Sequence, residues 1–298
     1  MQRSAPLLPI LLTAFAVALL SLMDAFMKEA ALAAGAYSAT WARSVIGLGI
    51  TAPVYLATRQ SWPSRRVLRI HVLRGTCSAL MALTFFFALT RLRLAEAIAI
   101  SFVAPVLAIF LAAWLLHEQV GRRAYIAALL GLAGTLVIVG GRMSSEAMDP
   151  RNWAGLGALL VSAALYASNL VIQRKQAQLA GPLEISTSQN LMICLVLGIA
   201  APFVFAMPSA DALQSIAAAS ALTVGAQLLM AWTYARAEAQ VLVPLEYTAL
   251  IWAAAFGWLF FAETVTVSVL GGAVLIVLGC WIAALRKRPG PASEQAVV

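Results

Sequence analysis

The first half of the chain returns in the second half at a fixed offset. Glu263 stands 145 residues after Glu118, and Leu-Leu-His-Glu-Gln-Val (115–120) lines up with Phe-Phe-Ala-Glu-Thr-Val (260–265). The same offset pairs Gly134 with Gly279. Near the start of each half it pairs Ser21, Asp24 and Lys28 with Tyr166, Asn169 and Gln173. A register held over that length restricts the fold to two copies of one unit, and proteins that carry solutes through membranes are often built from such copies.

Composition settles the solvent. Hydrophobic residues make up 62% and charged residues 11% of 298, and mean hydropathy is +0.91. Soluble domains carry about 25% charged residues, so this chain cannot cover itself with a polar surface. Lipid offers the backbone no hydrogen bonds, which leaves helices or a closed barrel. The apolar runs are long, rich in Ala, Leu, Val, Ile and Gly, and lack the two-residue alternation of strands, so they predict helices.

Spans are expected near 7–27, 38–58, 71–91, 94–116, 122–141, 152–173, 186–206, 213–234, 240–261 and 265–285. The expected fold class is an all-α integral membrane protein of ten transmembrane helices, five per repeat. An odd number forces the second copy to enter from the opposite side, so the repeats are inverted. Their expected limits are 1–145 and 146–288, with a cytoplasmic tail at 289–298. With the N-terminus inside, fourteen Lys and Arg fall in inner segments and five (Lys28, Arg91, Arg93, Arg142, Arg151) in outer ones. By the positive-inside rule both termini are cytoplasmic in the cell (inner) membrane. The net charge of +8 is thus a matter of topology, and no soluble basic face exists for nucleic acid.

The N-terminal run after Arg3 resembles a signal peptide, yet the offset pairs it with the span at 152–173, so it is read as an uncleaved first helix. Cys77, Cys194 and Cys280 are widely spaced within spans and form neither a disulfide framework nor a metal motif. No His-x-x-x-His, Gly-x-Ser-x-Gly or Walker loop occurs, and His71 and His117 are placed in cytoplasmic boundary loops. The expectation is no enzyme, no metal and no cofactor, with transport driven by a gradient of substrate or protons.

Two stretches carry a resemblance: Ala-Pro-Val-Leu-Ala-Ile-Phe-Leu-Ala-Ala-Trp-Leu-Leu-His-Glu (104–118) and Glu-Tyr-Thr-Ala-Leu-Ile-Trp-Ala-Ala-Ala-Phe-Gly-Trp-Leu-Phe-Phe-Ala-Glu (246–263). Over residues 7–286 the chain resembles the drug/metabolite transporter superfamily, in its ten-helix family of two EamA domains, and within it the bacterial exporters of amino acids and related metabolites. The resemblance implies a basket of helices around a central cavity, lined by the first, third, fourth, sixth, eighth and ninth, and alternating access. One departure is visible: Pro105 has Leu250 as its counterpart, where the family often carries Pro twice.

Ionisable groups at depth in a span mark function by default. Asp24 and Lys28 share a helix face, as an ion pair at the outer lip or as part of the pore; Tyr166, Asn169 and Gln173 form the matching stripe. Glu246 follows Pro244, which loosens the turn, and its counterpart is Ser101. A carboxylate there would hold a substrate ammonium or accept a proton, or would tie helices together, for example through Arg236. Tyr247 and Trp252 offer rings for stacking or for a cation. The expected substrate-binding set is Glu246, Tyr247, Trp252, Asp24, Tyr166, Asn169 and Ser101. Glu118 and Glu263 are read as caps on the helices that follow them, and Arg43 as snorkelling outward. The expected partners are the bilayer, an amino acid or organic cation, and protons. The alternatives are an importer of a nucleoside-like or cofactor-like metabolite, and a membrane protein that transports nothing.

Overall fold

The computed structural model describes residues 7–58, 62–116, 122–145, 150–234, 236, 242 and 245–284. Every regular element among them is a helix: α1 (Leu7–Ala34), α2 (Ala36–Thr58), α3 (Arg65–Leu89), α4 (Leu94–Ser101), α5 (Ala104–Leu116), α6 (Arg122–Ser145), α7 (Pro150–Gln176), α8 (Pro182–Gly198), α9 (Ala201–Val204), α10 (Ala210–Tyr234), α11 (Ala249–Phe261) and α12 (Val267–Ala284). Among the described residues, four segments are long and apolar enough to cross a membrane: Leu7–Ala34, Arg65–Leu89, Asn152–Gln173 and Ala210–Thr233. Shorter apolar helices occupy Leu94–Ala108, Tyr125–Gly141, Ala249–Phe261 and Val267–Ile282. The molecule is a multi-pass membrane protein.

Local chemistry explains the joints. Gly35 takes a φ of 81°, a conformation open to glycine at no steric cost, and turns α1 back into α2. Ser64 caps α3 by accepting from Val67 N at 3.4 Å, and Pro182 begins α8 where its missing donor costs nothing. Two expected spans are subdivided. The span at 94–116 is broken into α4 and α5, and that at 186–206 stops at Gly198 before the short α9. Pro244, His117, Glu118 and the tail at 289–298 lie outside the described residues.

The outward faces carry Leu, Val and Phe, while small residues fill the interior: Ala16, Ala25, Ala30, Ala39, Ala79, Ala97 and Ala99 are all fully buried. Lipid gives no hydrophobic drive between helices, so close packing by small residues holds them. The packing follows the repeat. At the offset of 145, α1 corresponds to α7 and α3 to α10. Correspondingly, α1 packs along α10, and α3 packs along α7. The crossing of α6 with α12 repeats itself: a Cβ on Gly134 would lie 2.5 Å from Gly272 O, and one on Gly279 would lie 2.8 Å from Ala127 O. Gly134 is the counterpart of Gly279, and Ala127 of Gly272.

Candidate functional site

Two helix breaks face each other at the same register. In the first half, Phe102 N bonds Ala99 O at 3.3 Å and Val103 N bonds Ile100 O at 3.1 Å. The turn follows from Pro105, which has no N–H to give to the carbonyl of Ser101. In the second half, the break falls at Tyr247 and Thr248, each the counterpart of a first-half turn residue. There Leu250 N bonds Tyr247 O at 3.3 Å rather than the carbonyl one residue earlier, and Thr248 Oγ1 donates to Leu245 O at 2.6 Å. Irregular backbone at membrane depth is tolerated where protein covers it or where it lines a wet cavity.

Around these breaks stand charged and hydroxyl groups from α1, α2, α7 and the 245–248 turn. Asp24 lies eleven residues before Gly35 and Arg43 eight after it, so the hairpin holds them at similar depth, at a rise of about 1.5 Å per residue. The two act on each other electrostatically. Among the described residues, neither side chain makes a hydrogen bond or a salt bridge, and Arg43 Nε is buried without a partner. Arg43 is 9% exposed, with its guanidinium carbon 5.6 Å from the centre of the Phe86 ring. It does not snorkel outward; its direction is into the bundle. Tyr166 lies within electrostatic reach of both Asp24 and Glu246. Asp24, Glu246 and Tyr247 are half-buried and Tyr166 is 36% exposed.

The remaining candidates divide. Ser101 is half-buried beside the first break and donates to Ala97 O at 2.8 Å. Tyr247 meets Phe102 edge to face, with centroids 5.4 Å apart, and Cys280 of α12 donates to Phe102 O at 3.2 Å. Trp252 starts an aromatic ladder along α11, stacked on Phe256 at 6.1 Å; Phe256 leads on to Phe260, which meets Phe26 of α1. Asn169 stands apart from Asp24's cluster. It is 3% exposed, accepts from Arg74 Nε at 3.0 Å and donates to Ser78. Arg74 also donates to Gln176 Oε1 at 2.7 Å and to Gln173 Oε1 at 3.4 Å, so the second polar stripe ties α7 to α3. His71, expected in a loop, is instead 2% exposed within α3, held by Gln176 at 2.6 Å, Ser188 at 3.2 Å and Glu184 at 2.9 Å.

The outer lip also differs from the local expectation. Lys28 pairs with Glu263 rather than with Asp24 four residues before it, and it donates to Leu92 O at 2.7 Å. Glu263 caps not the helix that follows it but α4 of the first half, accepting from Leu94 N at 2.7 Å. Ala262 makes this possible by closing α11 in the left-handed region, at φ 51°, which costs a residue with a Cβ about 1–2 kcal/mol. Arg236 turns back on its own helix, donating to Trp232 O at 3.2 Å and lying 4.1 Å over the Trp232 ring. Sequence reasoning missed Arg43 and Arg74 as interior groups. The signal that could have found them is their position: each falls within an expected span, where a charge needs an interior partner.

The arrangement is similar to known proteins. The model of the EamA-like transporter family matches residues 7–140 and again 153–285. A pseudopaline exporter, CntI of Pseudomonas aeruginosa, is 28% identical over 288 residues, covering 94% of this chain and 97% of its own. A riboflavin transporter of Brucella anthropi is 25% identical, over 78% of this chain and 82% of its own. One solved crystal structure shares the fold, with a TM-score of 0.61 at 20% identity, over 92% of this chain and 96% of its own.

Proposed function

Because the chain belongs to the EamA-like transporter family, and so is a membrane transporter of small metabolites, we propose that it exports amino acids or organic cations from the cytoplasm. It works by alternating access between two inverted five-helix repeats, residues 1–145 and 146–288. Ten helices cross the inner membrane, both termini are cytoplasmic, and a gradient of substrate or protons drives flux. The observation that carries this reading is that Tyr166 of the second repeat lies within electrostatic reach of Asp24 from the first repeat and of Glu246 from the second. A substrate between them touches both repeats, so rocking one against the other changes which side it sees. Two carboxylates and a phenol suit an ammonium group, and the exporter from Pseudomonas aeruginosa, similar along nearly the whole chain, supports the direction.

The test is counterflow in proteoliposomes loaded in turn with amino acids, organic cations, nucleosides and riboflavin. Exchange of labelled amino acids or amines is the expected result, and no exchange across the panel would remove the reading. A second reading, import of a cofactor-like metabolite, draws on the riboflavin transporter among the relatives and on the Trp252–Phe256 stack; exchange of riboflavin alone would favour it. For topology, a reporter fused after Arg288 is expected to be active only in its cytoplasmic form. Periplasmic activity would overturn the inverted arrangement.

A further inference from the structure

Arg43 is the group that the exporter reading leaves unexplained. A guanidinium carries five donors in a fixed fork and cannot shed its charge, and burying a charge without partners is costly. Here the side chain is nine-tenths buried, is aimed between α1, α3 and α8, and makes no hydrogen bond or salt bridge among the described residues. What surrounds it is one ring face, Phe86; one thiol, Cys194; and one carboxylate, Asp24, which acts on it without bonding it. A structural ion pair would be closed. Arg43 and Asp24 act on each other without closing into an ion pair, and Tyr166 lies within electrostatic reach of Asp24.

We propose that Arg43 binds the carboxylate of the substrate, so that the site takes a zwitterion: carboxylate at Arg43, ammonium toward Asp24 and Glu246. The proposal rests on the exporter reading and narrows it, because an organic cation would leave the Arg43 fork empty and add like charge beside it. Bidentate guanidinium–carboxylate pairing is among the stronger recognition contacts and is geometrically selective. An open acid–base pair also discriminates by charge. A bare amine meets repulsion from Arg43 and a bare acid meets repulsion from Asp24, whereas a zwitterion satisfies both.

The experiment uses the full-length protein in proteoliposomes with matched competitors: L-leucine, L-leucinamide and 3-methylbutylamine, and likewise L-phenylalanine, L-phenylalaninamide and phenethylamine. The acid of at least one set is expected to exchange, with its amide and amine competing at least tenfold more weakly, as loss of a charged contact implies. Arg43→Gln is expected to weaken the acids about tenfold or more while leaving competition by the amines unchanged or stronger, since the like charge is gone, and Arg43→Lys to retain part of the acid preference. Amides and amines that compete as well as the acids, or an Arg43→Gln variant that weakens all three alike, would overturn the assignment. Should Arg43→Gln fail to fold, the comparison of acid with amide in the unaltered protein decides alone. Exchange of amines without the acids keeps the exporter and removes the zwitterion site; exchange of none across the wider panel of amino acids and amines removes both.

Discussion

Phe102 and Tyr247 touch edge to face, their planes at 85° and their centroids 5.4 Å apart, and each is the other's counterpart in the repeat. A residue meets its own counterpart only where the axis relating the two copies passes between them. The mirrored contacts of Gly134 with Gly272 and of Gly279 with Ala127 fix the same axis along the α6–α12 seam. The two helix breaks therefore lie on that axis, and beside them stand Ser101 and Glu246, which under the proposed function a substrate held there would meet.

Proximity across that axis is directly measurable. With Cys77, Cys194 and Cys280 replaced by alanine, Phe102→Cys with Tyr247→Cys is expected to cross-link within one chain through a short bifunctional thiol reagent. In an experimental structure, residues 7–141 should superpose on 152–285 by rotation about an axis in the membrane plane. An axis along the membrane normal, or a pair of cysteines that never joins, would refute the inverted relation.

Glu246 offers the sharpest functional test. Glu246→Gln keeps the shape and removes the charge facing Tyr166, and is expected to cut transport of ammonium-bearing substrates about tenfold or more, as loss of one charged contact would. Thermal unfolding in detergent should stay near that of the unaltered protein. A variant that cannot fold would make the carboxylate an interhelical tie, and one that transports normally would remove Glu246 from the site.

The lip cluster predicts an interaction energy. Lys28 and Glu263 have side chains 6% and 16% exposed, so removing one partner leaves the other charge poorly solvated. Lys28→Met and Glu263→Gln are each expected to destabilise by about 1–3 kcal/mol. The double variant should cost less than the two singles together, with a coupling of about 0.5–3 kcal/mol. Strictly additive melting shifts would mean that the pair is not coupled.

These residues also show what the sequence could tell. The all-helical class and the repeat were legible, because apolar length and a fixed offset are local signals; the first helix break was not read, since 94–116 was expected as one span, although the missing N–H of Pro105 was there to signal it. For the second half the sequence offered a loosened turn after Pro244, and the break lies just beyond it at Tyr247 and Thr248, with Leu250 standing where the first half has its proline. Lys28 was misassigned to Asp24 because four-residue spacing is the only pairing rule that one helix offers; its true partner lies 235 residues away. The same non-locality hid the capping of α4 by Glu263, the burial of His71 against Glu184, and the inward aim of Arg43. Asp24, Tyr166 and Glu246 could be nominated one by one as charges or rings at depth, but their convergence is a property of the fold.

Glycines on one helix separate contact from propensity. A Cβ on Gly272 would lie 2.4 Å from Gly134 O, whereas one on its neighbour Gly271 meets nothing within 4 Å. Gly272→Ala is expected to destabilise by several kcal/mol, since backbone must move. Gly271→Ala is expected to be neutral, or to gain up to about 1 kcal/mol from helix propensity. Equal melting temperatures for the two variants would contradict the close crossing.

That crossing also bears on how the molecule can move. Where two helices come this close at backbone level, with Ile138 and Ile276 set directly against the facing glycines, neither can slide or tilt against the other without a clash or a void. In the proposed alternating access the α6–α12 seam would act as a fulcrum, with the travel coming from the remaining helices pivoting around it. Spin labels on the lipid-facing sides of α6 and α12, at Leu132 and Val274, both well exposed, should hold one distance through the transport cycle. Labels on α1 and α3 should not.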